Sequence, residues 1–143
     1  MIGKCLCGEV AFEILGSIPR LYQCHCSLCR KQSGTASNAA TIVGARKFRW
    51  LNGEQAISSW CKDSGFRSDF CATCGSPVPN PLRGLPYYWI PVGLLETDAP
   101  LRFAAQLHLA SRASWDACDG DGLYYDSMPD LSAFLELLGS DVP

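Results

Sequence analysis

Hydrophobic and polar positions alternate with a period of two along much of the chain. Between residues 9 and 15, Val10, Phe12 and Ile14 fall on one face, the pattern of a half-buried strand. Residues 39–43 and 47–51 also read as strands, and Asn52-Gly53 follows them as a turn. Alternation resumes over 54–61, with Ala56, Ser58 and Trp60 opposite Ile57, Ser59 and Cys61. Residues 67–70, 87–92 and 106–110 complete the predicted strands. Residues 76–86 hold four prolines, which lack the N–H that a ladder needs, so this stretch is predicted to be a loop.

Helical periodicity is scarce. Residues 26–33 fit one short helix that stops at Gly34. Residues 129–138 fit a second: Leu131, Phe134, Leu135 and Leu138 recur at helical spacing, Pro129 stands at the entrance and Gly139 at the exit. No repeat or linker interrupts the pattern. The expected fold is mainly β, a single domain over residues 1–143 with few short helices, one of them near the C-terminus.

Composition adds a setting. Hydrophobic residues make up 48% of the 143 and charged residues 18%, so the chain can build a core. A net charge of -2 argues against general electrostatic binding to nucleic acid or to an anionic membrane. No apolar run approaches the roughly 20 residues that span a bilayer. The opening MIGKCLCGEV lacks the apolar core of a signal peptide, so the expected location is cytoplasmic.

Nine cysteines change the picture most. An odd number, seven of them clustered, in a reducing compartment points to metal rather than to disulfides. Cys71-Ala72-Thr73-Cys74-Gly75 is a CxxCG knuckle, in which two spacer residues let both sulfurs face one ion. A CxxC also has a redox reading, but no βαβ pattern surrounds this one. Cys5-Leu6-Cys7 is a CxC; in an extended chain its two thiols point the same way. The two pairs together make four ligands, a closed zinc site with a stabilising role. The plainer reading is four packed core cysteines.

Cys24, Cys26 and Cys29 supply three ligands in six residues. Zinc held by three thiolates keeps one position open, the arrangement of a catalytic metal. Three alternatives remain. His25 is a possible fourth ligand, although its side chain should diverge from a metal held by both neighbours. Cys61 or Cys118 would close the site and make it structural. A different partition of the seven cysteines between two metals is also consistent with the sequence.

At this point the chain resembles a known family. GKCLCGEVAFEI (3–14), CHCSLCRKQSG (24–34) and FCATCGSPV (70–78), with His108, Ser111, Trp115, Gly122-Leu123 and Pro129 in the tail, are similar to the glutathione-dependent formaldehyde-activating enzymes, which share their domain with centromere protein V. The resemblance implies a β-tent built around a structural zinc. It implies Cys5, Cys7, Cys71 and Cys74 as ligands of that zinc, Cys24, Cys26 and Cys29 as ligands of a catalytic one, and two zinc ions per chain. It also implies a carbon–sulfur lyase or synthase that joins glutathione to formaldehyde or separates them. Three thiolates leave zinc with a formal charge of -1, a weak Lewis acid, which favours capture of a substrate thiol over activation of water.

The remaining candidates are less defined. Arg30 and Lys31 follow the last ligand and are candidate partners for the carboxylates of glutathione, or else solvated surface. Tyr87 and Trp89 share a face, as core or pocket wall. Arg67 is undecided. His108 reads as a hydrogen-bonded strand histidine before a general acid, Trp115 as packing, Cys61 as a small buried hydrophobe, and Cys118 as a free thiol in a polar loop. Two other functions stay open: a zinc-stabilised interaction module without turnover, and a lyase or hydrolase for another small thiol adduct.

Overall fold

The computed structural model describes residues 1–140. In chain order the elements are β1 (Ile2–Lys4), β2 (Ala11–Ile14), β3 (Leu21–Cys24), α1 (Ser27–Ser33), β4 (Asn38–Gly44), β5 (Phe48–Asn52), β6 (Ile57–Cys61), β7 (Arg67–Cys71), β8 (Pro77–Val78), β9 (Asn80–Pro81), β10 (Tyr87–Pro91), β11 (Phe103–Leu107), β12 (Leu123–Tyr124) and α2 (Leu131–Leu138). Among the described residues, twelve strands in three sheets and two short α-helices make the fold mainly β, with one helix near the C-terminus, as the sequence pattern predicts.

The largest sheet has the order β12-β11-β3-β4-β10-β9. It is mixed: β3 pairs antiparallel with β4 but parallel with β11, which places Leu107 beside Cys24. A second sheet, β1-β2-β5, turns Val10, Phe12 and Ile14 fully inward, so the predicted face of this segment is the buried one. Phe12, Phe48 and Trp50 pack edge-on or tilted there, and Phe48 stacks on Tyr88 at 4.1 Å. The third sheet, β6-β7-β8, carries the CxxC knuckle at its end.

α2 closes the main core. Asp130 caps it by accepting from the Ala133 N–H at 3.0 Å, Gly139 ends it in a left-handed conformation, and Phe134 and Leu138 bury against Tyr22, Ala105 and Leu107.

Several local expectations are corrected. The proline-rich stretch contains the two-residue strands β8 and β9; both lie at sheet edges, where a missing N–H costs little. Residues 54–56 form a 3-10 turn instead of strand, because Gly53 (φ 74°) turns the chain and its carbonyl takes the Ala56 N–H at 2.9 Å. The strand predicted over 106–110 stops at Leu107. His108 follows with φ 60°, the one positive-φ residue other than glycine among the described residues.

Candidate metal centres and the cavity beside them

The four thiols of Cys5, Cys7, Cys71 and Cys74 come together with their sulfurs within 4.8 Å of one another. Two turns deliver them. Cys5–Gly8 is a turn and not an extended segment, closed by a 2.9 Å bond from the Gly8 N–H to the Cys5 carbonyl. Cys71–Gly75 closes in the same manner, with the Gly75 N–H on the Cys71 carbonyl at 2.8 Å. Gly8 (φ 80°) and Gly75 (φ 76°) supply the left-handed residue that each turn needs. Cys5 and Cys7 sulfurs lie 3.5 Å apart, and Cys7 and Cys71 sulfurs 3.8 Å. The surroundings suit thiolate. The Val10 N–H points at the Cys5 sulfur at 3.2 Å, and Ser76 bonds to the Cys74 sulfur while accepting from the Leu6 N–H. The Ser76 contacts hold the Cys74 thiol down at about 5.

Cys24, Cys26 and Cys29 form the second cluster, again with all sulfurs within 4.8 Å. Cys24 ends β3, Cys26 caps α1, and Cys29 lies one turn into the helix with its N–H on the Cys26 sulfur at 3.4 Å. Three adjacent thiols share one negative charge before they share two. Contacts from Cys24 and then Cys29 pull Cys26 far below the ordinary thiol range. The neighbouring Cys26 sulfur pushes Cys24 up to about 11, and Cys24 and Cys26 push Cys29 higher still.

His25, between two of these cysteines, is only 3% exposed and points away from them. Its Nδ1 meets Asp116 Oδ2 at 2.5 Å and its Nε2 meets Gln106 Oε1 at 2.9 Å. Gln106 Nε2 donates to the Asp121 carbonyl, which fixes the amide with its oxygen toward the ring. Cys118 sits at the edge of this group, its sulfur 3.6 Å from His25 Nε2. Neither His25 nor Cys118 joins the three-thiol cluster, and Cys61 does not either.

A cavity of about 810 Å³ opens beside this cluster, with Cys24 and Cys29 on its wall. Tyr22, Trp89 and Leu107 give it an apolar side. Burial, chiefly, pushes the Tyr22 phenol far above its ordinary range. His108 also lines the cavity, in its strained backbone conformation. Arg67 lines it too, forked onto the buried Asp69 at 2.7 and 2.8 Å, which holds its guanidinium above the ordinary value. Arg30 and Lys31 are not among the lining residues; they occupy the last turn of α1, where positive charge complements the helix end. Tyr87 belongs to the core and Trp89 to the cavity wall. Cys61, expected to be buried, is exposed and faces the cavity, and Trp115, expected to pack, is 67% exposed.

Among the described residues no helix is long and apolar enough to cross a membrane. Residues 1–111 match the sequence profile of the family described as "Glutathione-dependent formaldehyde-activating enzyme". A Halomonas elongata protein provisionally named as such an enzyme is 29% identical over 82 residues, 53% of this chain and 52% of the relative. The match thus spans about half the length of that curated relative. A crystal structure of a Rhodobacter sphaeroides protein superposes with a TM-score of 0.58 at 27% identity, over 70% of this chain and 92% of that one.

Proposed function

The chain belongs to the glutathione-dependent formaldehyde-activating enzyme family, and from that premise we propose that it is a zinc-dependent carbon–sulfur lyase or synthase that joins a small thiol, glutathione first among candidates, to formaldehyde or a related aldehyde, or parts the two. The observation that carries this reading is the large cavity that meets two of the three clustered thiols. A purely structural cluster has no need of such a cavity, which supports an enzyme over a zinc-stabilised interaction module.

The donor sets fit zinc. A tetrahedral ZnS₄ unit with bonds of ~2.3 Å has sulfur–sulfur edges of ~3.8 Å, close to the 3.5 and 3.8 Å separations in the four-cysteine cluster. Cys5, Cys7, Cys71 and Cys74 would hold a structural zinc. Cys24, Cys26 and Cys29 would hold a catalytic zinc, which when bound supplies an open coordination position for a substrate thiolate at the cavity wall. In the joining direction one C–S bond forms, the aldehyde C=O becomes C–OH, and the thiol proton ends on that oxygen. The reverse reaction returns it. We assign the proton transfer to His108, which lines the cavity and whose backbone occupies a conformation that is costly for any residue but glycine. Tyr22 and Trp89 wall the thiol away from bulk water. The expected setting of this reaction is the cytoplasm.

Exchange NMR of formaldehyde and glutathione, with metal-loaded protein added, tests the reaction. Wild type should accelerate exchange, and His108→Gln should lower kcat by about 10²-fold while leaving thiol binding intact. A wild type inert across a panel of thiols and aldehydes would remove the lyase reading.

A further inference from the structure

Charge is distributed unevenly around the cavity. Its deep wall is formed by the buried Cys24 and Cys29, whereas its rim is formed by two turns. The turn over residues 62–66, between β6 and β7, contributes Lys62, Asp63 and Gly65; the turn over 82–86, between β9 and β10, contributes Arg83 and Gly84. Both turns are internally fastened. The Lys62 N–H bonds to the Phe66 carbonyl and the Leu82 N–H to the Tyr87 carbonyl, each at 2.8 Å. They also meet. A side-chain carbon at Gly65 would lie 3.2 Å from an Arg83 guanidinium nitrogen and 3.7 Å from Arg83 Cδ, so the arginine stem crosses over this glycine. At φ 95° the position is in any case one that other residues resist.

Three cationic side chains therefore face one carboxylate, Asp63, around the cavity. Arg67 is committed to Asp69. Lys62 and Arg83 make no ion pair among the described residues. A guanidinium lying across a turn presents a planar fork suited to a carboxylate. The volume of about 810 Å³ lies within the roughly 300–1,000 Å³ of pockets that enclose small organic ligands, enough for a molecule of short-peptide size with sulfur at one end and carboxylate at the other.

We propose that Arg83, backed by Lys62, determines substrate specificity by pairing with a carboxylate of the thiol, so that the cavity selects acidic, peptide-sized thiols over neutral ones. This rests on the thiol-binding reading of the cysteine site and adds the end of the substrate that the cysteines do not touch.

Calorimetric titration of metal-loaded protein with glutathione and with its diethyl ester tests the proposal from both sides of the contact. Arg83→Gln should weaken glutathione by about five- to tenfold, as expected of a charge-assisted contact partly open to water, and leave the ester unchanged. Arg83→Lys, which keeps the charge without the fork, should fall between, and Lys62→Gln should cost less than Arg83→Gln. The ester also reports that the variant site is intact. Equal losses for acid and ester, or none for either, would overturn the role of Arg83 while wild-type binding preserved the lyase reading. Failure of wild type to bind either thiol would remove both.

Discussion

Asp116 reaches His25 across some ninety residues of sequence and holds it from the side opposite the cysteines. Removing the carboxylate leaves a buried ring nitrogen without its acceptor, at a cost of about 1–3 kcal/mol. Because His25 lies between Cys24 and Cys26, the loosened ring should disturb the three-thiol cluster first. Asp116→Ala is expected to weaken metal retention there by about tenfold and to leave the four-thiol cluster unaffected. Asp116→Asn, which keeps an acceptor, should recover most of the loss. Chelator competition resolved by site checks this; parallel weakening at both sites would reduce Asp116 to a general stabiliser. The outward turn of His25 was legible from its neighbours, since adjacent side chains diverge. Its partners were not, because Gln106 reaches it through the pairing of β11 with β3 and Asp116 from the loop between β11 and β12, neither of which local spacing encodes. Cys61 misled for a related reason: its sequence alternates, but β6 is an edge strand whose last three residues, Ser59, Trp60 and Cys61, are all exposed.

Elements differ in how openly the sequence states them. α1 was legible almost to the residue, because its cap, short run and Gly34 stop are all local. β3, which carries Cys24, was not. Leu21-Tyr22-Gln23-Cys24 is buried on both sides at the middle of the large sheet, so it has no alternation to detect. The two cysteine clusters should also respond differently to loss of a ligand. The four-thiol cluster pins the turn after β1 to the end of β7, and Cys71 is fully buried. Cys71→Ser should therefore cost on the order of 4 kcal/mol of folding stability, since binding of a structural metal is coupled to folding. Cys29→Ser should cost less than about 1 kcal/mol and instead abolish turnover. Thermal melts with paired activity assays compare them, and a larger loss for Cys29→Ser would exchange the two roles.

For the whole molecule, protein purified without chelator should contain two zinc ions per chain by elemental analysis. A value of one that added zinc does not raise would break the four-plus-three assignment. The family profile ends at residue 111, yet Asp116, Cys118 and the core residues Phe134 and Leu138 come later. The terminal segment thus completes both the core and the network behind the cysteines.

The parallel pairing of β3 with β11 bears on the order in which the molecule is made. Residues 5, 7, 71 and 74 are all present once synthesis has passed residue 74, so the four-thiol cluster can gather around an ion at that stage. Cys24, Cys26 and Cys29 are older than Cys71, but the strand that flanks Cys24 and the glutamine that steadies His25 arrive only with residues 103–107. At synthesis rates of about 5–20 residues per second, those residues follow Cys74 by seconds. During translation the three earlier thiols would wait without their final neighbours while the later ones were already occupied, so a metal at the four-thiol cluster would enter the nascent chain before one at the three-thiol cluster.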